Sequence, residues 1–240
     1  MTDRTRTGFL LASAAAFLAA APVLSNVPPA PPSEPCAKSN GNPCKGNNGN
    51  DGSQGNVGKD TPEPAPFVIA RPNANRGAFI DQIGSANQAT ITQADSGHYA
   101  RIDQNGSDQG AAIEQQGAGD HYAHAVQRGS DNMLALSQSG EERLVALTEQ
   151  TGNNNRMTIR QRAYGETSGV LALQSGSSNL LDLTQNEGDN QATITQTGNA
   201  NAAVLTQNGG NQLVLTQTGN NLAIAIDQPA GQALSVSQSR

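Results

Sequence analysis

Glutamine recurs along this chain on a nearly fixed beat: Gln82, Gln93, Gln104, Gln115, Gln127, Gln138, Gln150, Gln161, Gln174, Gln185, Gln196, Gln207, Gln217, Gln228 and Gln238. The steps between them are 11, 11, 11, 12, 11, 12, 11, 13, 11, 11, 11, 10, 11 and 10. A second amide stands six residues before many of these marks. It is asparagine in five of the even-numbered units (Asn87, Asn132, Asn155, Asn179, Asn201) and two of the odd ones (Asn190, Asn211). A primary amide carries donors on nitrogen and an acceptor on oxygen, so copies stacked in register can each donate to one neighbour and accept from the other. The chemistry implied is hydrogen-bond laddering. It answers the free-energy cost that a buried amide otherwise incurs.

The elements that would hold those amides follow from the residues around them. Two residues before the Gln stands a hydrophobe in most units, as at Ile80, Ile91, Leu136, Ile159, Leu205 and Ile226, and four before it an apolar residue such as Ala89, Leu134 or Leu213. Apolar positions two apart mark a strand with one buried face. Two residues after the Gln a glycine follows in ten units, with Asn, Asp or Ser nearby. These residues tolerate positive φ or bond to their own backbone, so each unit reads as a strand of about seven residues and a turn of about four.

The spacing of alternate glutamines runs from 21 to 24, and the Asn bias alternates with them. Both point to a two-strand rung. The predicted fold is all-β: a β-solenoid of about 15 stacked strands over 76–240, cross-β in its rung spacing of roughly 4.8 Å. Asn, Ala or Leu, Ile or Leu, and Gln share its inward face.

Composition agrees. Aromatic residues are 3% of the 240, tryptophan is absent and charged residues are 14%, so a thick aromatic core is excluded. The formal charge of −6, with no lysine after Lys59, argues against a nucleic-acid partner. Residues 1–25 read as a secretory signal, with Arg4 and Arg6 before an alanine-rich apolar run from Gly8 to Val23. Residues 26–75 are rich in Pro, Gly and Asn and read as a disordered linker, either a spacer or an export or anchoring tag. Within it Cys36 and Cys44 are near enough to close a small disulfide loop in an oxidising compartment, and two ligands are too few for structural zinc.

Units such as Gln82-Ile-Gly-Ser-Ala-Asn87-Gln-Ala89-Thr-Ile91-Thr-Gln93 and Gln196-Thr-Gly-Asn-Ala-Asn201-Ala-Ala203-Val-Leu205-Thr-Gln207 resemble curlin repeats, Gln-x-Gly-x-x-Asn-x-Ala-x-x-x-Gln. The resemblance spans about 76–240. It implies a secreted subunit of extracellular amyloid fibres at a bacterial cell surface, for biofilm matrix and adhesion, with the Gln and Asn residues above as self-assembly contacts. The partners it implies are further copies of the chain, a related curlin subunit and an outer-membrane secretion channel. It leaves open a major subunit or a minor nucleator. More repeats are present than the five the family pattern suggests.

Three features fall outside that pattern. The units ending at Gln127, Gln150 and Gln174 follow longer steps, and Leu144–Gln150 and Val170–Gln174 carry bulky residues on both faces, so a bulge or extra turn residue is needed to keep register. Eighteen charged residues lie in 76–166 but only Asp227 and Arg240 in 190–240, which makes the C-terminal units the more aggregation-competent. His98 and His121 occupy the Asn position one rung apart, either as plain substitutions or as a metal- or pH-sensitive pair. No cofactor is expected. The Asp and Glu residues just before the glutamines point outward and form no catalytic constellation, so the chain does not read as an enzyme. A monomeric solenoid adhesin or ice-binding module is the competing class, the latter suggested by the outward pairs Thr90/Thr92 and Thr193/Thr195.

Overall fold

The computed structural model describes residues 68, 69, 71 and 76–240. The signal segment and both cysteines lie outside the described residues. Fifteen strands follow one another: β1 (Gly77–Ser85), β2 (Gln88–Gln93), β3 (Tyr99–Ser107), β4 (Gly110–Gln116), β5 (Tyr122–Ser130), β6 (Met133–Gly140), β7 (Leu144–Asn153), β8 (Arg156–Ala163), β9 (Ser168–Ser177), β10 (Leu180–Asn186), β11 (Gln191–Asn199), β12 (Ala202–Asn208), β13 (Gln212–Thr218), β14 (Ala223–Gln228) and β15 (Ala233–Ser239).

The odd-numbered strands form one eight-stranded sheet and the even-numbered strands a seven-stranded one. Every neighbouring pair is parallel. This is the β-solenoid with two unlike strands per rung that the alternation predicts. Each odd strand leads through a turn into an even strand of the opposite sheet, and the next turn climbs one rung.

Inward side chains alternate with outward ones along each strand. Ala100, Ile102 and Gln104 of β3, and Leu181, Leu183 and Gln185 of β10, are at most 2% exposed. The core is thus one narrow seam, mostly of Ala, Leu and Ile, between the sheets, flanked by two lines of glutamines. At its ends the seam opens: Ile80 is 47% exposed, and Ala89, Ile91, Ile224, Ile226, Leu234 and Val236 are only partly buried.

The turns fall into two kinds. From an odd strand to the following even strand the Gln-to-Gln step is 11 in all seven cases, whereas from even to odd it runs from 10 to 13. One edge of the solenoid is therefore constant and the other variable. The longer steps before Gln127, Gln150 and Gln174 all lie on the variable edge, and Gln127, Gln150 and Gln174 still stand opposite one another. Extra residues are absorbed in turns and the register of the strands is kept. An insertion within a strand would instead send its inward side chains outward.

The bulky residues on both faces of β7 and β9 also find a place. Outward on the odd sheet, Val145 stacks on Tyr122, Leu147 on Leu171 and Glu149 on Leu173. Ile69 lies against this face, its N–H donating to Gln191 Oε1 at 3.0 Å, and the Arg71 guanidinium sits 5.9 Å from the centroid of the Tyr122 ring. Tyr122 is only 4% exposed, and burial pushes its hydroxyl up to about 12.

Candidate assembly site: the amide ladders and the open ends

The glutamines come together as two columns, one per sheet. In the odd column Gln82 Nε2 donates to Gln104 Oε1 at 2.6 Å, and the same contact joins Gln104 to Gln127, Gln127 to Gln150, Gln150 to Gln174, Gln174 to Gln196, Gln196 to Gln217 and Gln217 to Gln238 at 2.8–2.9 Å. The even column runs from Gln93 through Gln115, Gln138, Gln161, Gln185 and Gln207 to Gln228 at 2.7–2.9 Å. Every amide points the same way, with nitrogen toward the C-terminal rung.

A second contact locks that orientation. The other Nε2 proton reaches across the core to a backbone carbonyl at the start of the preceding strand, as from Gln104 to Gln88 O (3.1 Å), Gln115 to Tyr99 O (3.0 Å) and Gln196 to Leu180 O (3.0 Å). Flipping one amide would set its oxygen against a carbonyl. The ladder is thus polar along its axis, and it also ties the two sheets together.

The asparagines behave differently from the expectation of simple amide-to-amide ladders. Asn155 Oδ1 accepts from the backbone N–H of Asn179 at 3.0 Å, and Asn155 Nδ2 donates to the Gly176 carbonyl at 2.9 Å. Amide-to-amide contacts accompany this at Asn155 to Asn132 and Asn179 to Asn155, both 3.1 Å. Asn132, Asn179 and Asn201 repeat the backbone contacts, and Asn87 Oδ1 accepts from Gln109 N. On the odd sheet Asn190 accepts from Asn211 N and Asn211 from Gln232 N. The recurring function is to satisfy backbone groups of the next turn.

The constant edge explains that need. In all seven of its turns the residue just before the Asn position is left-handed without being glycine: Ala86, Asp108, Asp131, Asn154, Ser178, Ala200 and Asn221, at φ between 54° and 59°. The glycine two after the Gln also has positive φ, and a Cβ there would run into the carbonyl of the turn above, as at Gly106 against Gly129 and Gly152 against Gly176. Such a tight stack admits only glycine, and it leaves backbone groups that only a short polar side chain can reach.

Of the two histidines, which the sequence offers as substitutions or as a sensitive pair, His98 does the work of asparagine and His121 does not. Their rings stack with centroids 4.7 Å apart and planes 4° apart, and His98 Nδ1 accepts from His121 N at 3.3 Å. Ser168 Oγ does the same for Asn190 N at 3.1 Å. The shared property is a short acceptor, a signal that a search for asparagine alone misses. His121 Nδ1 is buried without a partner, and burial lowers its pKa to about 4. Among the described residues no cluster of three or more metal-ligating side chains occurs.

Outward charges pair across rungs, Arg160 with Asp182 at 2.8 Å, Arg128 with Glu149 and His124 with Asp103, and within β3 Arg101 also pairs with Asp103. Burial alone would raise the Asp103 carboxyl, but the hydrogen bonds from His124 and Arg101 outweigh it and hold it below the usual range. An open groove on the even sheet is lined by residues that include Thr90, Ala112, Met133, Ala135, Arg156 and Thr158. It brings together no acid and base.

The two ends of the ladders remain unfinished. Gln82 and Gln93 present Oε1 atoms with no ladder donor, while Gln228 and Gln238 present Nε2 atoms with no ladder acceptor among the described residues. No family model, curated protein or solved structure matches the chain.

Proposed function

We propose that this chain is a secreted structural subunit of extracellular fibres that polymerises end to end, each copy extending the solenoid of the last. The observation that carries the reading is the pair of open, complementary ends. An acceptor row and a donor row of identical spacing terminate the same two ladders, above and below partly exposed core residues. Unpaired strand edges of this kind template another chain unless blocked, and no helix or loop among the described residues covers either one. Stacking a second copy would bury Ile80, Ile91, Ile226 and Val236 and extend the amide columns.

The curlin resemblance points the same way and adds the setting: export through an outer-membrane channel, a related curlin subunit as partner, and a role in biofilm matrix and adhesion. A minor nucleator of the same system would use the same ends. A monomeric ice-binding module is disfavoured by register, since Thr90 and Thr92 stack on Ala112 and Glu114, and Thr193 on Val214 and Leu171, so no flat threonine array forms.

The test is seeded growth. Chain from Asn26 onward, purified at neutral pH, should form dye-binding fibres whose lag disappears when sonicated fibres are added. A chain that stays monomeric with and without seeds overturns the proposal. Substoichiometric seeding of another curlin-like subunit would separate nucleator from building block.

A further inference from the structure

The fifteen strands of the described residues make seven rungs and a half, and the half rung decides how two copies meet. The C-terminal end is stepped: β15 stands in the odd sheet one level above β14, and no strand among the described residues stands beside β15 in the even sheet. The N-terminal end begins on a full rung, β1 with β2. If the next copy were added by translation alone, its β1 would sit on β15 and its β2 would stand two strand spacings, roughly 9.6 Å, above β14. That would bury two facing rows of unpaired backbone groups and break the even glutamine column, each orphaned group costing about 1–3 kcal/mol.

A half-turn about the fibre axis removes the gap. Odd and even strands run in opposite directions, carry Gln, the residue two before it and the residue four before it on the same inward face, and are equivalent in pitch. With the incoming copy so rotated, its β1 fills the vacant place on β14, in parallel, and its β2 lands on β15. Gln82 then stands over Gln228, and Gln93 over Gln238. The turn from β1 to β2 would overlie the turn from β14 to β15, a step of 11 over a step of 10. The variable edge already stacks steps of 13 on 12 and 10 on 11 with its strands in register.

One glutamine singles out this arrangement. Each ladder glutamine from Gln93 to Gln238 donates its second Nε2 proton to the start of the preceding strand, as Gln238 does to Ala223 O and Gln228 to Gln212 O. Gln82 alone has no such carbonyl among the described residues, because no strand precedes β1 there. After a half-turn the preceding strand is β15 of the earlier copy, and the equivalent carbonyl is that of Ala233. Translation leaves Gln82 without one.

We infer that successive copies in the fibre are related by a half-turn, with β1 of each copy on β14 of the one before and β2 on β15. The inference rests on the polymerisation proposed above. It places Asp81 over Asp227 on the solvent-facing side, a like-charge contact that a translated copy would not have, since Asp81 would then face Ser237.

Cysteine pairs at outward positions test it, with Cys36 and Cys44 changed to serine. Phe79, Ala225 and Ser235 each stand three before their Gln and are exposed. Directly stacked positions on neighbouring strands fall within disulfide reach. Fibres of the Phe79→Cys/Ala225→Cys chain should oxidise to a ladder of covalent oligomers, and those of the Phe79→Cys/Ser235→Cys chain should not. A ladder from the second pair alone, from both pairs, or from neither in well-formed fibres overturns the half-turn and leaves polymerisation standing. Absence of fibres overturns both. Should a double variant fail to fold, equimolar mixtures of the single-cysteine chains give the same readout as covalent dimers. Asp227→Asn should also speed elongation about twofold or more at low salt through the relieved contact, and an unchanged rate contradicts the placement.

Discussion

The two edges of the solenoid are made from the same turn-forming residues yet obey different rules. On the constant edge every turn has one length, a glycine packed against the carbonyl above it and a left-handed residue before the Asn position. On the variable edge the length ranges from 10 to 13, and while Gly117 and Gly140 pack against the turn above, Gly165 and Gly231 have open space where a Cβ would be. Stacking at every level, as against stacking at some levels only, is what separates them. A turn held at its glycine and at its Asn position by the turns above and below cannot change length alone, whereas a turn with an open stretch, as at Gly165, can absorb a residue without disturbing the strands.

The sharpest break of that contrast is an insertion. One glycine added between Gly152 and Asn153 should abolish cooperative folding or cost more than about 4 kcal/mol, while one added after Gly165 should cost below about 1 kcal/mol, since loop lengthening is a weak entropic effect. Denaturant midpoints of the two chains measure it, and equal losses would dissolve the distinction. Next in size is Gly152→Ala, whose Cβ meets the Gly176 carbonyl. It should cost roughly 3 kcal/mol or more, against about 1 kcal/mol for Gly165→Ala, where only the positive φ is penalised.

Asn155→Ala strands the Asn179 N–H and the Gly176 carbonyl and should cost about 2–3 kcal/mol in thermal or chemical unfolding. On the other edge Ser168→Ala removes one contact, to Asn190 N, and should cost about 1 kcal/mol. A smaller effect comes from His121, at the start of β5 on the variable edge, with its ring stacked on His98 and Asp120 beside it. Burial lowers its pKa from 6.5 to about 4, so the unfolded chain takes up the proton first as pH falls. Its share of stability is present above pH 6.5 and is lost between 6.5 and about 4. Melting temperature should fall over that window, and less so in His121→Asn. Smallest of all, Ala200→Gly should add about 0.5–1 kcal/mol by relieving a left-handed alanine on the constant edge.

Much of this was readable from residue order. Apolar positions two apart and a glutamine recurring on a near-constant step require strands with one buried face, and the alternation of Asn separates the two sheets. The constancy of every odd-to-even step was also present in the numbers, but it acquires meaning only once those turns are known to stack on one edge. The role of the asparagines was hidden for a different reason. Sequence shows an amide and suggests amide pairing, while the left-handed residue before it, Ala86 or Asp131 as readily as Asn154, creates the backbone need that the amide meets. His98 and Ser168 fill that role with other chemistry. The contact of Ile69 and Arg71 with the outer face near Tyr122 and Gln191 had no periodic signal at all.

The central claim is that both sheets and both glutamine columns continue from copy to copy. Cryo-electron microscopy of polymer grown from the purified chain tests it most directly. The expected result is an unbroken two-sheet cross-section with a rise of roughly 4.8 Å per rung through every chain boundary; separate solenoids joined side by side, or gaps in either sheet between copies, would contradict it.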